Sequence, residues 1–280
     1  MSLKDAVKAK AQGKEAVEQM ILKNKLERLF YEDRKQEQRY GLHASAVLGC
    51  LKDGFCYREQ VLSLFYRMNQ GEQLPIKQLK IFAQGNAMHE KWYNLFRKAG
   101  IDVAIERTLF LPEFDLSFTI DALIDFNKPY TDRKADEYIC DVKSQSTFAF
   151  RKTSRHPSGE AQVNFYMWAL SRYEKNRSGK KYKKGFVLVD SKDDQEIRPI
   201  PVTYDKSKVE PVYECLKEIQ TMKKVFVETK EPPARICKNS DCKRASICSM
   251  RDACWNIGMG RVKLPNILKE KRLRDGQESI

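Results

Sequence analysis

An α/β fold, a mixed central sheet with helices on its faces, is what the order of hydrophobic periods predicts. Three observations carry it. Residues up to about 100 read mostly at helical spacing, residues 103 to 143 alternate as strands do, and from residue 160 helix and strand take turns. The hydrophobic share of 41%, with 14 Phe, 12 Tyr and 3 Trp, can supply a core and excludes a disordered chain.

Residues 1 to 40 are dense in Lys, Glu, Gln and Arg, with apolar positions such as Val17, Met20, Ile21 and Leu26, and predict one or two charged amphipathic helices. A helical patch is expected from Ala44 to Met68, and another from Ile76 to Ala99 that Gly100 stops. Val103 to Leu111 and Leu116 to Phe126 read as two strands joined through Pro112, and Tyr138 to Lys143 as a third. Glu160 to Tyr173 returns to helix, and KNRSGKKYKKG is a basic loop. Gly185 to Val189 and Glu196 to Thr203 are further strands, and Lys206 to about Glu228 is a helix that ends before Pro232 and Pro233. The domains expected are an N-terminal helical region over 1–74, a core over 75–230, a cysteine segment over 231–260 and a basic flexible tail over 261–280.

Of the 280 residues, 52 are Lys or Arg and 38 are Asp or Glu, a net charge of +14. Such an excess suits a polyanion, and nucleic acid is the commonest, because each neutralised phosphate releases counterions. A lysine-rich surface without a partner explains the same excess, so charge by itself names no site. No apolar run reaches the roughly 18 residues of a membrane span. The N-terminus lacks the apolar stretch of a secretory signal, so a cytoplasmic location is expected. Eight cysteines are then no disulfide framework, and metal binding or plain burial must explain them.

In FTIDALIDF, strand alternation puts Phe118, Ile120, Ala122, Ile124 and Phe126 on one face and Asp121 on the other. In YICDVK, Asp141 and Lys143 project together. If the two strands are neighbours, two carboxylates and an amine converge. Hard divalent cations take one or two carboxylates together with phosphate oxygens, and a nearby lysine can orient water or stabilise charge. A lone D-x-K is also a common surface ion pair. Upstream, GNAMHEKWY sets His89 in a helix; downstream, Gln162 and Tyr166 stand at i and i+4 on one helical face.

Taken in order, these are G-x-x-x-H, then Asp121, then D-x-K about twenty residues on, then Q-x-x-x-Y about twenty beyond. The set resembles the RecB-like branch of the PD-(D/E)XK nuclease superfamily over roughly residues 42 to 254, with SAVLGC and the pair Glu106 and Leu109 in support. The resemblance implies a restriction-endonuclease-like fold. It implies Mg or Mn bound by His89, Asp121, Asp141 and the carbonyl of Val142, with Lys143 as catalytic lysine and Gln162 and Tyr166 as the motif that orients DNA. One departure is Phe118, where the family often has glycine three residues before the first aspartate.

The cysteines add a second constellation. Four form C-x4-C-x5-C-x5-C at Cys237, Cys242, Cys248 and Cys254, while Cys140 and Cys215 read as core residues. A cluster without histidine suits a thiolate-bound metal, zinc or iron–sulfur. The chain is similar to the iron–sulfur members of the RecB-like branch, AddB-type nucleases and CRISPR-associated exonucleases. That resemblance implies a 4Fe–4S cluster on Cys50, Cys237, Cys242 and Cys248, with Cys254 as substitute for Cys237 and Cys56 as the spare upstream thiol. Such a cluster would staple the N-terminal helices to the C-terminal segment.

The function expected is a Mg- or Mn-dependent DNA exonuclease acting on single strands or duplex ends, in recombination, repair or phage DNA processing, beside a helicase or recombination partner or as an oligomer. The basic loop around Lys180 to Lys184 is a phosphate track in that reading. The alternative is a nucleic-acid-binding or assembly subunit that keeps the fold without the activity.

Overall fold

The computed structural model describes residues 20, 22–25, 27, 41–66, 76–130, 132, 134–152, 154–175 and 177–256. The basic tail over 261–280 and most of the expected N-terminal helices lie outside the described residues. The chain divides into two compact units, residues 1–37 with 70–84, and residues 38–69 with 85–280. In the first, Lys80 pairs with Glu27 at 3.1 Å. Apart from residues 76–84, the features below belong to the second.

That unit carries a six-stranded mixed sheet flanked by helices. A two-residue strand β1 (Leu42–His43) leads into α1 (Ala44–Val47), a 3-10 turn (Leu48–Leu51) and α2 (Tyr57–Ser63). The single helix expected from Ala44 to Met68 is therefore broken, and Gly54 at φ 81° lies between the pieces. Helix α3 (Ile76–Lys98) enters the unit at Gly85 and is stopped by Gly100 at φ 68°. Strands β2 (Asp102–Leu111) and β3 (Leu116–Asp125) form a hairpin through a 3-10 turn (Pro112–Phe114), with Asp115 left-handed at φ 50°. Then come β4 (Glu137–Gln145), α4 (Thr147–Lys152), α5 (Pro157–Glu174), β5 (Lys184–Ser191), β6 (Ile197–Thr203) and α6 (Lys206–Thr229). The cysteine segment adds α7 (Lys243–Ser246) and α8 (Arg251–Asn256).

The sheet order is β1-β3-β4-β5-β6, with β2 along the other edge of β3. β4 and β5 are parallel, with Asp141 beside Val187 and Lys143 beside Val189; β3 and β4 are antiparallel. One edge of β3 serves two partners. β1 pairs with Leu116 and Ser117, and β4 pairs only from Ala122 onward. Residues 118–121 lie between the two pairings, and Asp121 stands at the border.

The two sheet faces bury separate cores. Helices α5 and α6 cover one, with Phe118, Ile120, Leu123, Ile139, Val163, Leu216 and Ile219. Phe96 of α3 covers the other, with Ala122, Ile124, Cys140, Val142 and Leu188. Gly185 lets α5 approach β5: a Cβ there would lie 2.6 Å from Val163 Cγ1 and from the Ile139 carbonyl oxygen. The two expected core cysteines are both buried, Cys140 in the second core and Cys215 in the first.

The alternation expected along β3 fails at Asp121. Phe118 and Ile120 point into the α5 core, whereas Ala122 and Ile124 point into the α3 core. The strand rolls over between them. β2 rolls over with it, since Leu109 joins the first core while Ile105 packs against the second. Glu106 has φ 48°, and the pairs Ile105 with Ala122 and Arg107 with Ile120 set it opposite Asp121. A left-handed non-glycine residue within a strand is rare, and here it marks where the paired strands re-aim their side chains.

Candidate active site

The roll of β3 gives Asp121 its direction. Its Oδ2 accepts from the backbone N–H of Val142 at 2.8 Å, just past the end of the β3–β4 ladder. A side-chain carboxylate thus bonds the β4 amide, and the carboxylate is held at the mouth of the gap. Regular alternation on β4 sets Asp141 and Lys143 on the same face as Ile139, toward α5.

Asp141 is fully buried. Its Oδ1 accepts from Lys143 Nζ at 2.7 Å, and its Oδ2 finds no hydrogen-bond donor among the described residues. Burial drives its pKa up to about 7; Lys143 opposes that rise and the Asp121 charge adds to it. Burial favours the neutral amine at Lys143, but the charges of Asp141 and Asp121 outweigh it and hold the lysine above its ordinary value.

His89, on α3, reaches the group from the other side of the sheet. Its Nδ1 lies 3.8 Å from Asp121 Oδ2 and 3.0 Å from the hydroxyl of Tyr93. On α5, Gln162 Nε2 donates to the Tyr166 hydroxyl at 2.7 Å. Burial, with the charges of Asp141 and Asp121, raises the pKa of Tyr166, so the phenol stays protonated. Its ring stacks on Phe118 at 6.1 Å. The aromatic that stands where a glycine was expected therefore turns into the core and supports Tyr166.

The structure brings Asp121, Asp141 and Lys143 together, sets His89 at their edge, and joins Gln162 to Tyr166. Among the described residues, no three His, Cys, Asp or Glu side chains converge closely enough as they stand to hold a metal ion. The donor chemistry nevertheless fits a divalent cation. A buried carboxylate oxygen without a proton donor is costly, and hard cations prefer such oxygens.

Three neighbours escaped the sequence reading. Tyr93 sits one turn after His89 and is buried beside Asp121 and Glu106; the i, i+4 spacing was there to be read. His156 caps α5 by accepting from Gly159 N at 3.0 Å. Burial and the Lys143 charge depress its pKa. Asp190 on β5 is buried, with Oδ2 held by Trp92 Nε1 at 2.8 Å and Lys91 Nζ at 3.0 Å. In the basic loop, Lys180 pairs with Glu137, and Lys184 with Asp136 at 3.0 Å, and both lysines are solvent-exposed.

The cysteines regroup. Cys50, expected as the upstream ligand, lies beside Cys215, and the interaction of the two thiols lowers Cys50 and raises Cys215. Cys56 lines one pocket with Cys237, Cys248 and Cys254. Cys242 hydrogen-bonds with Cys237 and also caps α7 by accepting from Ala245 N at 3.4 Å. Burial raises Cys56, and burial beside Glu59 pushes Cys248 up to about 12. The donors are all sulfur, which fits a thiolate-bound metal. Arg58 on α2 already staples this segment: it donates to Cys254 Sγ at 3.1 Å, to the Cys254 carbonyl at 3.1 Å and to the Pro233 carbonyl at 2.7 Å.

The family model of the PD-(D/E)XK nuclease superfamily matches residues 57–255. No curated protein matches the chain. Similar solved structures include the crystal structure of SSO0001, at 12% identity over 87% of this chain and 98% of that one, with a TM-score of 0.43. They also include the crystal structure of LHK-Exo in complex with dAMP, at 9% identity over 68% of this chain and 91% of that one, with a TM-score of 0.47. At those values neither likeness bears on what this chain does.

Proposed function

The chain belongs to the PD-(D/E)XK nuclease superfamily, and from that premise we propose that it is a Mg- or Mn-dependent DNA exonuclease of the RecB-like branch. The observation that carries the reading is Asp141, fully buried, bound to Lys143 through one oxygen and without a donor among the described residues at the other, one strand from Asp121. An inert surface ion pair has no use for a buried carboxylate.

In this reading Asp121, Asp141, His89 and the carbonyl of Val142 hold the cation. When bound, it supplies positive charge that activates water and offsets charge on the phosphoryl group. Lys143 orients the attacking water and stabilises the charge that develops. Tyr166, kept protonated and fixed by Gln162 and Phe118, closes the α5 side of the site and orients the DNA strand.

A thiolate-bound cluster, 4Fe–4S with zinc as the alternative, belongs to the same proposal. The shared pocket supports Cys56 as the upstream ligand in place of Cys50, with Cys237, Cys248 and Cys254 beside it, and Cys242, next to Cys237, as the substitute. Its work is structural, adding to the staple that Arg58 makes.

The test is anaerobic purification followed by incubation of 5′- and 3′-labelled single- and double-stranded DNA with Mn²⁺. Wild type is expected to release short products from ends, and Asp141→Ala none. If neither protein cleaves, the nuclease reading fails and a fold-retaining binding subunit takes its place.

A further inference from the structure

Helix α4 begins two residues after β4 ends, at the carboxyl end of the parallel pair β4 and β5, the edge where open α/β sheets bind ligands. Phe148 lies five residues after Lys143, so their Cα atoms are at most about 18 Å apart, the span of a few stacked nucleotides.

The Phe148 side chain is 77% exposed. It is presented by a pinned helix. Thr147 N donates to Asp193 at 3.0 Å, and Thr147 Oγ1 meets Ser191 Oγ at 3.0 Å. Two residues on, Phe150 is buried, and Arg198 lies 4.0 Å over its ring while donating to its carbonyl. The inward phenylalanine anchors the helix, and the outward one stands on it. Lys152 Nζ sits 5.7 Å from the Phe148 ring centre. Two acids of the neighbouring turn are engaged, Asp193 by Thr147 and Asp194 by Arg151 at 3.0 Å.

A flat ring beside an ammonium is a poor seat for an apolar partner, which would strip water from Lys152 without replacing it. It matches a nucleotide, which brings a π-face for the ring and a phosphate for the cation. We propose that Phe148 is a stacking platform for an unpaired base of the substrate strand, with Lys152 meeting the adjacent phosphate. The proposal rests on the nuclease reading and names its substrate class, single-stranded DNA or a frayed end.

The experiment reads binding in chelator, where nothing is cut. Fluorescence anisotropy of a fluorescein-labelled oligothymidylate and of a blunt duplex is compared for wild type, Phe148→Ala, Phe148→Tyr and Lys152→Ala. Phe148→Ala is expected to weaken single-strand binding about tenfold while Phe148→Tyr restores it. Duplex affinity should change far less, and the melting temperature should hold, because the ring is exposed. Moving one abasic position along the oligonucleotide should reproduce the loss in wild type at one place and add nothing in Phe148→Ala. Equal single-strand binding by Phe148→Ala and wild type, an equal loss on the blunt duplex, or no sensitive abasic position overturns the platform. Cleavage with Mn²⁺ is a separate readout: a wild type that cuts nothing overturns the nuclease reading, and anisotropy still decides the platform.

Discussion

Lys143 Nζ stands 2.7 Å from Asp141 Oδ1, and the other oxygen of that fully buried carboxylate meets no donor among the described residues. One lysine serves half of a group that has been taken out of water. The arrangement is stable only if the second oxygen gains a proton or a cation, which links the pH behaviour of the metal-free protein to its loading.

The first prediction follows from the sign of that linkage. The folded-state pKa of Asp141 is raised from the ordinary 3.8 to about 7. Between those values the folded protein binds the proton and the unfolded chain does not, so stability falls as pH rises from about 4 to about 7 and levels beyond. Lys143, also raised, loses its contribution only in strongly alkaline solution and leaves this window untouched. In chelator the melting temperature should therefore drop across that window by an amount worth a few kcal/mol. Asp141→Asn should flatten the drop, and Mn²⁺ at pH 8 should raise the wild-type melting point but not that of Asp141→Asn. A flat wild-type profile would remove the buried-carboxylate argument.

The second concerns rate. Lys143→Ala leaves Asp141 without the one donor it has among the described residues and the reaction without its ammonium, so kcat should fall about a hundredfold or more while KM moves little. Lys143→Arg should recover little, because a planar fork does not replace a compact ammonium packed between two carboxylates. Rates on end-labelled DNA check both.

Much of this group was legible in residue order. Asp141, Lys143 and the Gln162–Tyr166 pair stand where strand and helix periods set them, because on β4 and α5 local geometry and tertiary packing agree. What did not read out was the roll at Asp121. Alternation assigned Ala122 and Ile124 to the face of Phe118 and Ile120, and nothing in FTIDALIDF announces a change of face. The cause is tertiary: β3 loses one partner after Ser117 and gains another only at Ala122. The separation of Cys50 from Cys56 was hidden for a related reason. The resemblance points to Cys50 with Cys56 as its spare, and the break after α1 sends the first thiol toward α6 and the second toward the C-terminal segment.

The third prediction separates those two thiols. Anaerobically purified protein should absorb broadly near about 400 nm if an iron–sulfur cluster is bound. Cys56→Ser should abolish the band, whereas Cys50→Ser should keep it, since Cys50 is engaged with Cys215. The reverse pattern would return Cys50 to the ligand set. A colourless protein with stoichiometric zinc would select the zinc alternative.

The fourth tests the strain at Glu106. With φ 48°, a side chain costs about 1–2 kcal/mol that glycine does not. Glu106→Gly should melt at or above the wild-type temperature, and Glu106→Val several degrees below, because a β-branched residue tolerates that conformation worst. If the roll of β2 carries Asp121 with it, Glu106→Val should also lower kcat, while Glu106→Gly keeps the geometry. Loss of activity in both with normal melting would instead assign the carboxylate itself a part in the chemistry.

The fifth concerns how α3 is held. Asp190 is buried, its Oδ2 takes both Trp92 Nε1 and Lys91 Nζ, and its Oδ1 has no partner among the described residues. Trp92 is three residues beyond His89, so this bond ties the helix bearing His89 to β5, next to the strand that bears Asp141. Trp92→Phe keeps an aromatic ring against Phe96, where the two rings lie 6.0 Å apart, but removes the better-buried donor. Hydrogen bonds to buried charges contribute about 1.5–3 kcal/mol, so the melting temperature should fall by several degrees. If the bond also positions His89, kcat should fall beyond what unfolding explains, and excess Mn²⁺ should restore part of it by filling a loosened site. Lys91→Ala, which removes a more exposed donor from the same oxygen, should cost less in both measurements. Equal losses for the two variants would mean that the charge of Asp190, rather than the direction of the Trp92 bond, holds the helix.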